Sequence, residues 1–143
     1  MYDRIVVGTD GSSHARAGIE HARSLAAAHN ADVHVITVVN PRSNPMKFGV
    51  EEIEELSAAK ELLIDDLLES DSQDMIEISG EVRRGRPSAA ILDFASEIDA
   101  DLIIVGQRGA DGVTAALIGS TADRLTRLST IPVLVVPSSA EDS

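Results

Sequence analysis

The chain has 143 residues, room for one domain around a layered core, and its 43% hydrophobic share is that of a globular chain rather than a disordered or membrane-spanning one. Twelve Lys and Arg stand against 24 Asp and Glu, a formal net charge of -12, which leaves too little cation for a nucleic-acid face and disfavours anionic membrane surfaces. Without cysteine there is no disulfide framework, thiolate metal site or thiol nucleophile.

The opening Met1-Tyr2-Asp3-Arg4 leads straight into Ile5-Val6-Val7, and no cationic segment precedes a long apolar region, so the expected location is the cytoplasm. Five β-rich runs follow in order: Ile5–Val7, Val33–Val39, Ile76–Arg83, Leu102–Val105 and Pro132–Val136. Most are nearly continuous Val, Ile and Leu, the mark of strands buried on both faces of a parallel sheet. Between them lie helical periods. Ala15, Ile19, Ala22 and Ala26 share one face of the first, with Ser12 or Ser13 as its cap. The second, about 50–69, carries Val50, Ile53, Leu56, Leu63 and Leu67 as its stripe and Glu51, Glu52, Glu54 and Glu55 where the helix dipole favours negative charge. Asp65, Asp66 and Glu69, at its far end, read as a solvated acidic face. Pro87 opens the third, with Ile91, Leu92, Ala95 and Ile98 inward. The fourth starts near Gly119–Ser120 and carries Ala122, Leu125 and Leu128.

Strands alternating with helices predict right-handed βαβ crossovers and a doubly wound α/β sheet. Residues 1–137 form one domain, residues 40–49 its longest loop, and residues 138–143 a polar, frayed tail.

Ligands of such sheets bind beyond the carboxyl ends of the strands, where the strand order switches direction. After the first strand comes Gly8-Thr9-Asp10-Gly11-Ser12, and after the fourth Gly106-Gln107-Arg108-Gly109, with Gly119-Ser120-Thr121 opening the last helix. The spacing G-x2-G-x9-G-[ST] has a physical use. Glycine at a strand end lets a ligand lie against bare backbone, and the first amides of a helix have no intrahelical acceptor. Those amides, the Ser120 and Thr121 hydroxyls and the Arg108 guanidinium make an anion site. A glycine-rich connection with a capped helix explains the same residues, as a turn explains Asp10. There is no P-loop lysine and no G-x-G-x-x-G after the first strand.

The segments Ile5-Val6-Val7-Gly8-Thr9-Asp10-Gly11-Ser12, Asp101–Gly109, Gly119-Ser120-Thr121 and Ile131–Pro137, in this order, resemble the universal stress protein family over nearly the whole chain. The glycine spacing is similar to that of its ATP-binding branch. The resemblance implies a five-stranded parallel sheet in the order 3-2-1-4-5, a homodimer through strand Pro132–Val136, and a nucleotide-dependent stress regulator. It implies that Asp10, beside Thr9, holds ribose hydroxyls, that Val38 meets adenine through its backbone, and that Gly106 lies by the ribose. Gly109, Gly119, Ser120 and Thr121 would cradle the phosphates of ATP with Mg2+. Ala122 departs from the pattern, since that branch often has a further hydroxyl there.

Other groups carry less. His14, His21, His29 and His34 lack the companions of a zinc site. Arg83, Arg84 and Arg86, the basic cluster, are expected to pair with nearby acids. No G-x-S-x-G or other nucleophile–base spacing appears, so no enzyme is expected beyond slow ATP hydrolysis. The alternatives are a nucleotide-free dimeric interaction module of this fold and a slow ATPase. Two lysines, Lys47 and Lys60, against ten arginines fit either a halophilic or an ordinary acidic protein.

Overall fold

The computed structural model describes residues 2–9, 15–39, 50–69, 76–106 and 120–137, the side chains of 50–53, 55 and 69 apart. Five strands, β1 (Arg4–Thr9), β2 (Asp32–Val39), β3 (Ile78–Arg84), β4 (Leu102–Gly106) and β5 (Val133–Val136), form one sheet in the order β3-β2-β1-β4-β5. Every neighbouring pair is parallel. Four helices, α1 (Arg16–His29), α2 (Val50–Glu69), α3 (Pro87–Glu97) and α4 (Ser120–Leu128), fill the connections. The doubly wound α/β sheet and its order are those expected.

The central strands are apolar at consecutive positions because both faces of the sheet are covered. Ile5 and Val7 pack with Ala15, Ile19, Ala22 and Ala26 from α1 and Leu63 from α2. Val6, Ile36, Val38, Ile103 and Val105 point the other way, under Ile91, Phe94 and Ala95 of α3 and Ala122 and Leu125 of α4. Alternation along a strand thus sends α1 and α2 to one face and α3 and α4 to the other. The edge strands differ. No residue of β3 is fully buried, and in β5 only Val136 is.

Several details depart from the sequence reading. The third strand starts at Ile78 rather than Ile76. The N-cap of α1 is Ala15, so neither Ser12 nor Ser13, which lie outside the described residues, occupies that position. Ala59 joins Leu63 among the buried residues of α2, while Phe94 takes a core place in α3 that its predicted stripe omitted. Leu128, placed inward by period alone, is 65% exposed at the last turn of α4. Asp66 is not on a solvated face: it is 2% exposed.

Below the sheet, Asp101 ties the start of β4 to the start of β1. Its Oδ2 accepts the N–H groups of Asp3 and Arg4 at 2.7 and 3.1 Å. Those two bonds stabilise the charged form and hold the carboxyl below the usual range.

Candidate functional site

The site is built by topology. β1 and β4 are neighbours, paired from Ile5↔Leu102 to Gly8↔Val105. The chain leaves β1 for α1 on one face and reaches α4 from β4 on the other. The carboxyl ends of β1 and β4 are therefore the switch point of the sheet, the place where ligands of open α/β sheets bind. Thr9 and Gly106 are the last residues of these strands, one step beyond the Gly8↔Val105 pair. Gly106 is exposed.

Val38 stands near the end of β2, its side chain fully buried on the α3 side. Its backbone is what remains for a ligand. Asp32 N–H donates to Asp3 O, toward β1, and Val33 N–H to Glu77 O, toward β3. The two-residue period carries this alternation up the strand, so the Val38 amide and carbonyl face the β1 side, just past the last β1 pair at Thr9↔Thr37.

Each helix follows a strand and runs back along the sheet, so helix N-termini gather near the carboxyl ends of the strands. They are not equivalent anion sites. At α1 the Ala15 N–H already donates to Asp66 Oδ2 at 2.8 Å. At α3 the first residue is Pro87, which has no N–H, and both Pro87 and Ser88 are buried. α4 opens with Ser120, exposed, and Thr121, half-buried. Ala122, the departure noted in the sequence, is 1% exposed and packs with Leu125 in the core under α4. A hydroxyl there would have to be buried, which a methyl avoids.

The structure thus brings Thr9, Val38, Gly106, Ser120 and Thr121 to the carboxyl side of the sheet. Asp10, Arg108, Gly109 and Gly119 lie outside the described residues. In the chain Asp10 follows Thr9, Arg108 and Gly109 come two and three residues after Gly106, and Gly119 precedes Ser120.

The basic cluster behaves as expected for Arg83. Its Nη1 and Nη2 donate to Glu97 at 2.7 and 2.9 Å, its Nε to Glu81, and its guanidinium lies 5.0 Å from the centre of the Phe94 ring. This network keeps the Glu97 carboxyl below its usual range and raises the Arg83 pKa further. Arg83 therefore roofs Phe94 against β3. His34 belongs to the same region, with Nδ1 3.0 Å from Ser79 Oγ and its ring edge-on to Phe94. His29 packs against Tyr2.

Asp66 is the acidic residue that sequence reasoning misplaced. Besides Ala15, its Oδ1 stands 3.3 Å from Arg16 Nε. A signal was present: Leu63, Asp66 and Leu67 fall on one face of α2, at the i, i+3, i+4 spacing of a buried stripe.

Comparison with known proteins agrees with this architecture. The model of the universal stress protein family matches residues 1–137. A universal stress protein of Methanocaldococcus jannaschii is 32% identical, the match covering 95% of this chain and 82% of the relative. Universal stress protein UspA from Lactobacillus plantarum shares the fold, with a TM-score of 0.80 at 24% identity over 94% of this chain and 97% of that one. A universal stress protein solved in complex with cAMP is 29% identical, with a TM-score of 0.68, over 96% of this chain and 99% of that one. On fold, signature and coverage together, this chain belongs to the universal stress protein family.

Proposed function

We infer that this protein binds an adenine nucleotide, ATP with Mg2+, at the carboxyl ends of β1 and β4, and works as a nucleotide-dependent regulator of the stress response in the cytoplasm. The observation that carries the reading is the meeting of Thr9 and Gly106 at the switch point, with Ser120 exposed at the start of α4. In this reading the Asp10 carboxylate accepts hydrogen bonds from ribose hydroxyls beside Thr9. The Val38 backbone meets the adenine edge. Gly106 allows the ribose to lie against the chain. Gly109, Gly119, Ser120 and Thr121 surround the phosphates, and Arg108 donates to their oxygens. Mg2+ would neutralise part of the phosphate charge, which matters in a chain of net charge -12. The relative solved with cAMP supports the ligand class.

The regulatory assignment rests on the universal stress protein family, and the sequence offers neither a P-loop lysine nor a nucleophile–base spacing for a dedicated turnover reaction. Residues 1–137 act as one domain in this reading, the span that the family model matches. β5 is an edge strand with Leu134 37% exposed, which suits pairing with its copy in a homodimer. That edge also favours a second reading, a dimeric interaction module that works without nucleotide.

Gly119→Val separates the two. A side chain just before α4 would crowd the phosphate cradle, so the variant loses MgATP binding in calorimetry yet remains a dimer in light scattering. Persistence of binding would move the site elsewhere.

A further inference from the structure

The outer face of α2 leaves two large apolar side chains in water. Ile64 is 53% exposed and Leu68 69%. Four residues apart, they stand together on the helix as one ridge. The helix cannot roll to bury them, because its inner face is fixed. Leu63 and Leu67 close on β3 so tightly that a Cβ on Gly80 would stand 2.9 Å from Leu67 Cδ1 and 3.0 Å from Leu63 Cδ2. On the same inner side Asp66 accepts the Ala15 N–H at 2.8 Å. α2 packs on β2 and β3, at the opposite end of the sheet from β5. A homodimer through β5 therefore leaves this ridge open.

The charge beside the ridge selects its occupant. Glu54, Glu61 and Asp65, all exposed, follow one side of it, and Lys60 is the only cation of α2. A second copy would set acid against acid in a chain of net charge -12, and the same groups repel an anionic membrane. We propose that the outer face of α2 docks a basic amphipathic helix of a partner protein, whose apolar side chains pack on Ile64 and Leu68 while its Lys or Arg residues meet Glu61 and Asp65. The proposal does not depend on the nucleotide reading.

The test is fluorescence anisotropy of three labelled helical peptides with the full-length protein: one with Leu at four-residue spacing flanked by Lys, one with Ser for its Leu, and one with Glu for its Lys. The wild type binds the Leu–Lys peptide about tenfold more tightly than either control, roughly what burial of one apolar side chain supplies. The double variant Ile64→Ser, Leu68→Ser loses the preference for Leu over Ser. The double variant Glu61→Lys, Asp65→Lys loses the preference for Lys over Glu. Both keep the wild-type Tm, since all four side chains are exposed. Absence of binding by the wild type, equal binding of the three peptides, or a Leu preference that survives in the serine variant overturns the proposal. A wild-type particle larger than that of the serine variant in light scattering assigns the ridge to a second copy, and capture by anionic vesicles that the serine variant loses assigns it to a membrane; either result overturns the proposal too.

Discussion

Gly8 of β1 leaves little space between sheet and helix beside the proposed site. A Cβ built there would stand 2.6 Å from Cδ1 of Ile91, 3.0 Å from its Cγ1 and 3.4 Å from its Cγ2. Ile91 is fully buried under α3, so its side chain has little room to turn aside. Gly8→Ala is therefore an overpacking substitution, expected to cost about 1–3 kcal/mol. Alanine would otherwise gain about 0.5–1 kcal/mol over glycine inside a strand, so a net loss reports the clash itself. For a domain of this size each kcal/mol shifts Tm by about 4 °C. Ile91→Val removes the clashing Cδ1. It should cost about 0.5–1.5 kcal/mol in the wild type and nothing, or a gain, in the Gly8→Ala background. The coupling in the double-mutant cycle is then at least about 0.5–1.5 kcal/mol. Urea unfolding followed by far-UV circular dichroism is the suitable assay, because the chain has no Trp and one Tyr. A Gly8→Ala variant as stable as wild type, or Ile91→Val losses equal in both backgrounds, would refute the reasoning.

Asp101 gives the fold a pH dependence of known sign. Its folded pKa is depressed by two backbone N–H bonds, so its contribution is present above the unfolded value, about 3.9, and is lost as pH falls through the lower folded value. The urea midpoints of wild type and Asp101→Asn should converge as pH falls below the unfolded value of about 3.9; parallel curves would contradict the assignment. Net charge -12 makes the folded chain repel itself, and the Debye length shrinks from ~10 Å at 0.1 M salt to ~3 Å at 1 M. Tm should rise from low salt to molar KCl, steeply if the chain is halophilic; a flat profile would dismiss that origin for its acidity.

How legible this was depends on the scale of the feature. The sheet could be read because β1, β2 and β4 are covered on both faces and are nearly continuously apolar, as Ile5, Val6 and Val7 show, with His34 and Thr37 interrupting β2. α1 could be read because small residues at helical spacing suit a helix laid close to a sheet. Boundaries slipped where the apolar signal outran the pairing, as at Ile76 beside β3. Leu128 shows the limit of periodicity: the stripe continues for one turn after the core has ended. Phe94 was missed because it lies between two predicted stripe positions, and part of what covers it is Arg83, a contact from β3 that no local pattern contains. Asp66 failed for a similar reason. Its charge suggested solvent, and only the tertiary meeting of α2 with α1 supplies the N–H and guanidinium that make burial tolerable. At the candidate site, glycines and hydroxyls could be read as a motif. The adjacency of β1 and β4, which are far apart in the chain, lies in no local pattern and came only from the strand order that the family resemblance implies.

The central claim is that the switch point of the sheet takes an adenine nucleotide, and direct titration of the purified wild type with MgATP addresses it. Calorimetry at low and at molar salt should give a Kd on the order of 1 μM, about -8 kcal/mol. Ligand at a hundredfold excess over that Kd should stabilise the fold by about 2.7 kcal/mol. No heat of binding and no rise in Tm at either salt concentration would contradict the account.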